Sequence, residues 1–474
     1  MSKRPAPAVN KPDRSTPPAA GPAPTWELPQ LERGRTASGI RVAATKSDAT
    51  PELLLELSLP SGRVREPLAR EGLATLTALM LQEGTRALNT VEVIDAFDFL
   101  GARFEIRCDD DETTLHLRVL EAKAARALEL LADIVLTPRF GPREFERVRE
   151  QRRASLRSRA DDANAVAHDV WARLYWGRST SLGSASIGDA ESLKATTLDD
   201  VLAFHVAALR PRAWRCNAVC RGGLEQTLEW LAPLEARLGG LDDPRAANQG
   251  SGIWNVPTPL ARGRTRIHIA DRPGAPQSEL RVGHPSVPSS HPAWLPLTAL
   301  NQALGGVFTS RLNLNLRENK GYTYGIRSSF EGGRRPGAFQ VATSVHTTST
   351  ADALREIERE LEGFLAGPTP TEIAFVRSAL EQSLARQFET PQARLNFLGG
   401  VERLGLRDDY PLQRLDWLAK ASGDEIAALL AEHLRPQELT VVVVGDHAAT
   451  QRGLAELGHG APVRVDASGD ELKR

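Results

Sequence analysis

Apolar positions recur at two different spacings along this chain. Leu53 to Leu59 (LLLELSL) and Ser278 to Gly283 (SELRVG) read as strands, and Val441 to Val444 is a run of four valines, a strand's length. Gly72 to Glu83 and Trp294 to Leu304 follow the first two with apolar runs of helical length. From about Ala351, Leu354, Ile357, Leu361 and Leu365 recur at helical spacing until Gly367-Pro368 stops the helix. The next helix opens with Thr369-Pro370-Thr371-Glu372, a capping box with Pro at the first helical position. Cys216 and Cys220 would share one face of a strand and read as small core residues. Strands and helices mix without strict βαβ alternation, and strand pairs join directly. The fold class this predicts is α+β, with an antiparallel-rich mixed sheet and helices packed on one face.

The pattern occurs twice. Leu209-Arg210-Pro211 and Leu434-Arg435-Pro436 each precede a strand-like run, at an offset of 225 residues (210 to 435). The same offset aligns Glu66-Pro67 with His291-Pro292. Pro142-x-Glu144-x-x-x-Val148-Arg149 matches Pro370-x-Glu372-x-x-x-Val376-Arg377, and Gly101-Ala-Arg-Phe104-Glu-Ile106 matches Gly321-Tyr-Thr-Tyr324-Gly-Ile326. A period near 225 is too long for a solenoid and implies two homologous domains. The division expected is a Pro/Ala-rich disordered arm at 1–28, a first domain at 29–238, a Gly/Pro/Asn-rich linker at 239–263, a second domain at 264–460 and a tail at 461–474.

Composition removes several function classes. The 474 residues carry 59 Lys plus Arg against 60 Asp plus Glu, a net charge of −1, which gives no bulk attraction to nucleic acid or anionic lipid. No apolar run approaches the ~18 residues needed to span a bilayer. Three cysteines with no Cys-x-x-Cys spacing make neither a disulfide framework nor a zinc knuckle. Without an apolar core behind Lys3 and Arg4, the start of the chain lacks a secretory pattern. The expected compartment is the cytoplasm, or the periplasm if the chain is a processed form.

The ten histidines include no pair three or four residues apart, so none is assigned to a metal. There is no Gly-x-Ser-x-Gly elbow, no phosphate-binding Gly-rich loop and no dinucleotide fingerprint. The seven arginines between Arg143 and Arg159 alternate with glutamates and read as a solvated helix face, and Asp109 to Glu112 as a hairpin turn. One segment differs. Residues 305–326 read GGVFTSRLNLNLRENKGYTYGI, predicting a helix through Leu312 and Leu316, a stop near Lys320-Gly321, and a strand with alternating Tyr322 and Tyr324. Arg317 and Tyr324 flank that turn, and two of the chain's four tyrosines lie here. Brought together, a guanidinium and a phenol would suit a developing oxyanion or a peptide carbonyl. The competing reading is an Arg capping helix carbonyls and a Tyr packed on a half-buried sheet.

The string Ser310 to Ile326, SRLNLNLRENKGYTYGI, resembles the Arg/Tyr segment of the pitrilysin (insulinase, mitochondrial-processing-peptidase-like) family, and IHIADRPGAPQSELRVG at 267–283 resembles its lead-in to a second domain. The resemblance covers about residues 30 to 450 and is most specific in the second half. Active members carry His-x-x-Glu-His on the first domain's early helix. With register set by Gly72-Leu73-Ala74, Met80 and Gly84-Thr85, Thr75 and Leu79 replace the two His ligands, Ala78 replaces the catalytic Glu, and the third ligand falls near Ser155. The resemblance therefore implies a chain that binds no metal and works beside a homologous zinc-binding subunit. Together they would form a heterodimer closing around an unstructured peptide, with no nucleic acid or membrane partner. Arg317 and Tyr324 would be supplied to the partner's site. The alternative is a catalytically dead structural or peptide-binding member. Glu105 stands roughly where the family's substrate-edge strand has Asn, which sets peptide binding by the first domain apart from the usual pattern.

Overall fold

The computed structural model describes residues 26–238, 258–260 and 263–472. The first half forms one sheet from β1 (Glu32–Arg35), β2 (Arg41–Lys46), β3 (Glu52–Leu59), β4 (Arg103–Cys108), β5 (Thr113–Leu120) and β6 (Arg215–Cys220), in the order β1-β2-β6-β3-β5-β4. The second half repeats the plan with β7 (Arg266–Asp271), β8 (Gln277–Pro285), β9 (Ile326–Phe330), β10 (Ala338–His346), β11 (Thr440–Gly445) and β12 (Val463–Val465), in the order β12-β7-β11-β8-β10-β9. In each sheet the long central strand, β3 or β8, lies antiparallel between its neighbours, while β2 with β6 and β7 with β11 run parallel. The fold is α+β and duplicated.

The helices of the first half are α1 (Leu73–Met80), α2 (Thr90–Phe99), α3 (Ala124–Leu136), α4 (Pro142–Asp161), α5 (Ala163–Trp176), α6 (Ala190–Ala195), α7 (Leu198–Ala208) and α8 (Gly223–Leu238). Those of the second are α9 (Trp294–Asn301), α10 (Thr350–Phe364), α11 (Pro370–Glu389), α12 (Pro391–Leu404), α13 (Tyr410–Lys420), α14 (Gly423–His433) and α15 (His447–Ala455). Most cover one face of their own sheet. Leu53, Leu55, Leu57 and Leu59 of β3, one face of a period-2 strand, are buried with Leu128 and Leu131 of α3. Thr369 caps α11 as its sequence predicts, with Pro370 at the first position.

The other face of each sheet is covered by a helix from the opposite half. Val166, Val170 and Trp171 of α5 are buried against Ala270, Val442 and Val444 of the second sheet. In return Leu395 of α12 packs on Leu54 and Val219 of the first. That exchange explains why β6 and β11 are buried on both faces, and why β11, a run of valines, does not alternate with polar residues. Arg335 binds Asp111 across the halves at 2.5 Å, so the β4–β5 turn at Asp109 to Glu112 is held by the loop before β10.

Two expected boundaries shift. Of the arm expected at 1–28, residues 1–25 lie outside the described residues. Trp26 and Leu28, however, pack against a cluster containing Phe388 and Phe397, because two large apolar side chains found an uncovered edge of α11 and α12. In the tail expected at 461–474, Val463 to Val465 forms β12 parallel to β7, and the Leu472 amide donates to the Arg464 carbonyl.

Candidate functional site

The Arg/Tyr segment is wound differently from an ordinary helix. Gln302–Gly306 and Asn313–Asn319 are π-helical turns on either side of a short loop. The buried Asn313 explains the second: its Nδ2 donates to the Ile326 carbonyl at 2.7 Å, and its Oδ1 accepts the Ile326 amide at 3.2 Å. Asn315 donates to Glu356 at 2.9 Å and Glu360 at 2.7 Å on α10. Gly321, at φ +67°, then reverses the chain, as Gly101 does at φ +64° in the matching segment of the first half.

Tyr322 and Tyr324 do not open a strand; β9 starts at Ile326. Between them, Thr323 Oγ1 accepts the Gly325 amide at 3.0 Å and donates to the Gly325 carbonyl at 2.9 Å. That local turn consumes backbone groups a ladder would need. Tyr322 packs on the second core, whereas Tyr324 is 87% exposed. Arg317 places its guanidinium carbon 3.9 Å from the ring centroid of Phe308 and its Nε 3.5 Å from Glu318. Among the described residues no hydrogen bond joins Arg317 to Tyr324. The guanidinium rests on Phe308 rather than on the phenol. Phe308 and Asn313 escaped the sequence reading. No repeat or spacing pointed to them. The offset of 220 residues (104 to 324) does pair Tyr324 with Phe104 and Arg317 with Phe97. In the first half that pair is two stacked rings, centroids 4.7 Å apart.

The four positions matched to a zinc site hold no metal donors. Thr75 Oγ1 lies 3.0 Å from the Gly72 carbonyl and 2.9 Å from that of Ser186, and Ser155 donates to Gln151 of its own helix at 3.0 Å. Ala78 is buried and Leu79 packs against the first core. Two hydroxyls spent on carbonyls, a methyl and an isobutyl group do not fit Zn²⁺, which takes imidazole, thiolate or carboxylate. Among the described residues no group of three or more His, Cys, Asp and Glu could hold a metal ion. One carboxyl near this helix was overlooked in sequence. Glu66 Oε1 accepts the Ala74 amide at 2.8 Å, its Oε2 has no hydrogen-bond partner, and burial raises its pKa to about 7.

The two outer sheet edges differ. The Asp109 amide bonds to the Glu112 carbonyl at 2.9 Å, so the alternation of an antiparallel ladder turns the backbone groups of Phe104 and Ile106 outward from β4. No other hydrogen bond takes them among the described residues. On β9 the matching groups are taken by Asn313, and the Ser328 carbonyl by Asn301 at 2.7 Å. Glu105 is exposed and paired with Arg107 at 2.7 Å, clear of the β4 edge. A cavity of about 720 Å³ adjoins that edge, lined by Val93, Ile94, Phe97, Phe104, His116 and Leu395 among others.

The class that the fold defines is a duplicated α+β protein whose halves exchange covering helices. Residues 41–180 match the model described as Insulinase (Peptidase family M16), and residues 195–380 that described as Peptidase M16 inactive domain. The chain belongs to peptidase family M16. It is 24% identical over 417 residues to an uncharacterized zinc protease of Mycobacterium tuberculosis, spanning 87% of this chain and 92% of that protein. It is 23% identical over 392 residues to a non-peptidase homolog of Helicobacter pylori (79% and 84%), and 21% identical over 389 residues to the mitochondrial-processing peptidase subunit beta of Rattus norvegicus (80% and 76%). Among solved structures, a peptidase M16 inactive domain from Pseudomonas fluorescens superposes with a TM-score of 0.78 at 23% identity, covering 88% of this chain and 98% of that one. A protease from Helicobacter pylori gives 0.78 at 17% identity, covering 88% and 100%. These two share the fold. No helix among the described residues is long and apolar enough to cross a membrane.

Proposed function

We propose that this chain is the non-metal-binding subunit of a two-subunit zinc peptidase, contributing Arg317 and Tyr324 to a site whose zinc is held by a homologous partner. The observation that carries the reading is the contrast between the halves. Thr75, Ala78, Leu79 and Ser155 offer nothing to a metal, while Tyr324 stands 87% exposed on a turn fixed by Gly321 and Asn313, seven residues after an arginine whose guanidinium Phe308 supports. A structural Tyr on a sheet would bury its ring. The phenol would donate to the scissile carbonyl as it becomes an oxyanion, and Arg317 would steady the phenol or a neighbouring substrate carbonyl; losing one such donor typically costs about 10²–10³ in rate. The open edge of β4 supports an unstructured peptide lying as an added strand.

The test is to purify the chain with a homologue from the same organism that carries an intact His-x-x-Glu-His motif and assay unstructured peptides. Neither chain alone should cleave, the mixture should, and Arg317→Ala or Tyr324→Phe should lower turnover with assembly intact. Variants that cleave at the wild-type rate would remove the assigned roles. A second reading, a peptide-binding member without catalysis, has one point in its favour: the Helicobacter relative is named a non-peptidase homolog. It predicts that no mixture cleaves.

A further inference from the structure

We infer that Phe308 is a positioning residue for Arg317: its ring is a platform that orients the guanidinium without using any of its N–H donors. The inference rests on the reading above. A cation seated on an aromatic face engages the ring's quadrupole through the flat face of the guanidinium, leaving the five N–H groups in its plane free for a carbonyl. The guanidinium carbon lies over the ring, 3.9 Å from its centroid, a distance at which a flat stack fits. Phe308 is 60% exposed, so the ring that carries the guanidinium stands at the surface, where a substrate can reach the arginine.

The platform is held in place. The Ser310 amide donates to the Val307 carbonyl at 3.2 Å, and Asn313 Nδ2 reaches the same carbonyl at 3.3 Å. Gly305 presses on β9 so closely that a Cβ there would sit 2.3 Å from Ser328 Oγ. Loop, π-helical turn and strand are thus tied by Asn313 to the turn that carries Tyr324. With the guanidinium on the ring, its Nε lies 3.5 Å from its own neighbour Glu318 and no hydrogen bond forms; without the ring, that carboxylate would be free to draw the donors away from a substrate.

The first half shows what the arrangement replaced. There Phe97 and Phe104 stack on each other. Their counterparts are Arg317 and Tyr324, and with Phe308 under the arginine the tyrosine is left unstacked and free.

The experiment uses the assembled two-subunit enzyme and a quenched fluorogenic unstructured peptide. Phe308→Leu should lower kcat/KM about five-fold and Phe308→Trp should hold it within about two-fold, since Trp is the better platform. In an Arg317→Ala background, Phe308→Leu should change nothing. Phe308→Leu at the wild-type rate beside an impaired Arg317→Ala overturns the inference and leaves the functional reading standing, as does an equal loss from Phe308→Leu in both backgrounds. Arg317→Ala at the wild-type rate overturns both. Geometry is checked on the isolated chain: the side-chain protons of isotopically labelled Arg317 should show an upfield ring-current shift that Phe308→Leu removes. Absence of that shift in the wild type overturns the inference whatever the kinetics.

Discussion

Asn313 lies across the outer edge of β9 and takes both backbone groups of Ile326, one at 2.7 Å and one at 3.2 Å. A side-chain amide thus stands where a further strand would pair, and it anchors the π-helical turn that carries Arg317. Asn313→Leu leaves that buried N–H and C=O unsatisfied and should cost about 2 kcal/mol. Urea denaturation should show a lower midpoint at unchanged slope. Amide exchange at Ile326 should accelerate beyond what the global loss explains.

The edge of β4 should behave in the opposite way. The outward amides of Phe104 and Ile106 have no partner among the described residues and should exchange fast in the free chain, while those of Glu105 and Arg107, turned toward β5, stay protected. A saturating unstructured peptide should slow Phe104 and Ile106 and leave Ile326 as it was. Protection appearing at Ile326 instead would move the peptide to the second sheet.

Much of this was legible in sequence, and the rest was hidden for definable reasons. Repeats and spacings mark the strands and the duplication because local patterns carry them. The apolar stripes of α5 and α12 say only that these helices are buried, and nothing in Val166, Trp171 or Leu395 says that the covering sheet belongs to the other half. Alternating Tyr322 and Tyr324 read as strand, but the hydroxyl of Thr323 closes a turn on Gly325 first. The expectation for the Arg317–Tyr324 pair put a turn at Gly321, where the chain does reverse, and missed the ring under Arg317, since Phe308 is nine residues back along the chain and the π-helical winding lies between.

Glu66 makes stability pH-dependent. Burial raises its pKa to about 7, against an unfolded carboxylate near ~4.3, so between those values the folded chain binds more protons than the unfolded one. Its contribution is therefore favourable at low pH and lost as pH rises toward 7, by up to about 3 kcal/mol. Glu66→Gln keeps an oxygen for the Ala74 amide and has no charge to bury. It should be more stable than wild type at pH 8 and close to it at pH 5, in urea titrations at both. A pH slope unchanged in the variant would assign the effect to another group.

The exchanged helices should make the two halves a single folding unit. Trp171 of α5 is buried on the second sheet, and Gly283 of β8 approaches it so closely that a Cβ there would lie 3.0 Å from the indole. Trp171→Ala removes apolar contact belonging to the far half and should cost about 3–5 kcal/mol. If each half were stable alone, the loss would appear in one of two transitions. Because α5 and α12 each cover the other half's sheet, both halves should instead unfold together, with one transition moving as a whole. Fragment 264–460, expressed alone, should expose the apolar face of Ala270, Val442 and Val444, bind a hydrophobic dye and aggregate, and co-expression with fragment 29–238 should restore a soluble pair. A fragment that folds alone with a sharp, dye-silent transition would show that the helix exchange is incidental to stability.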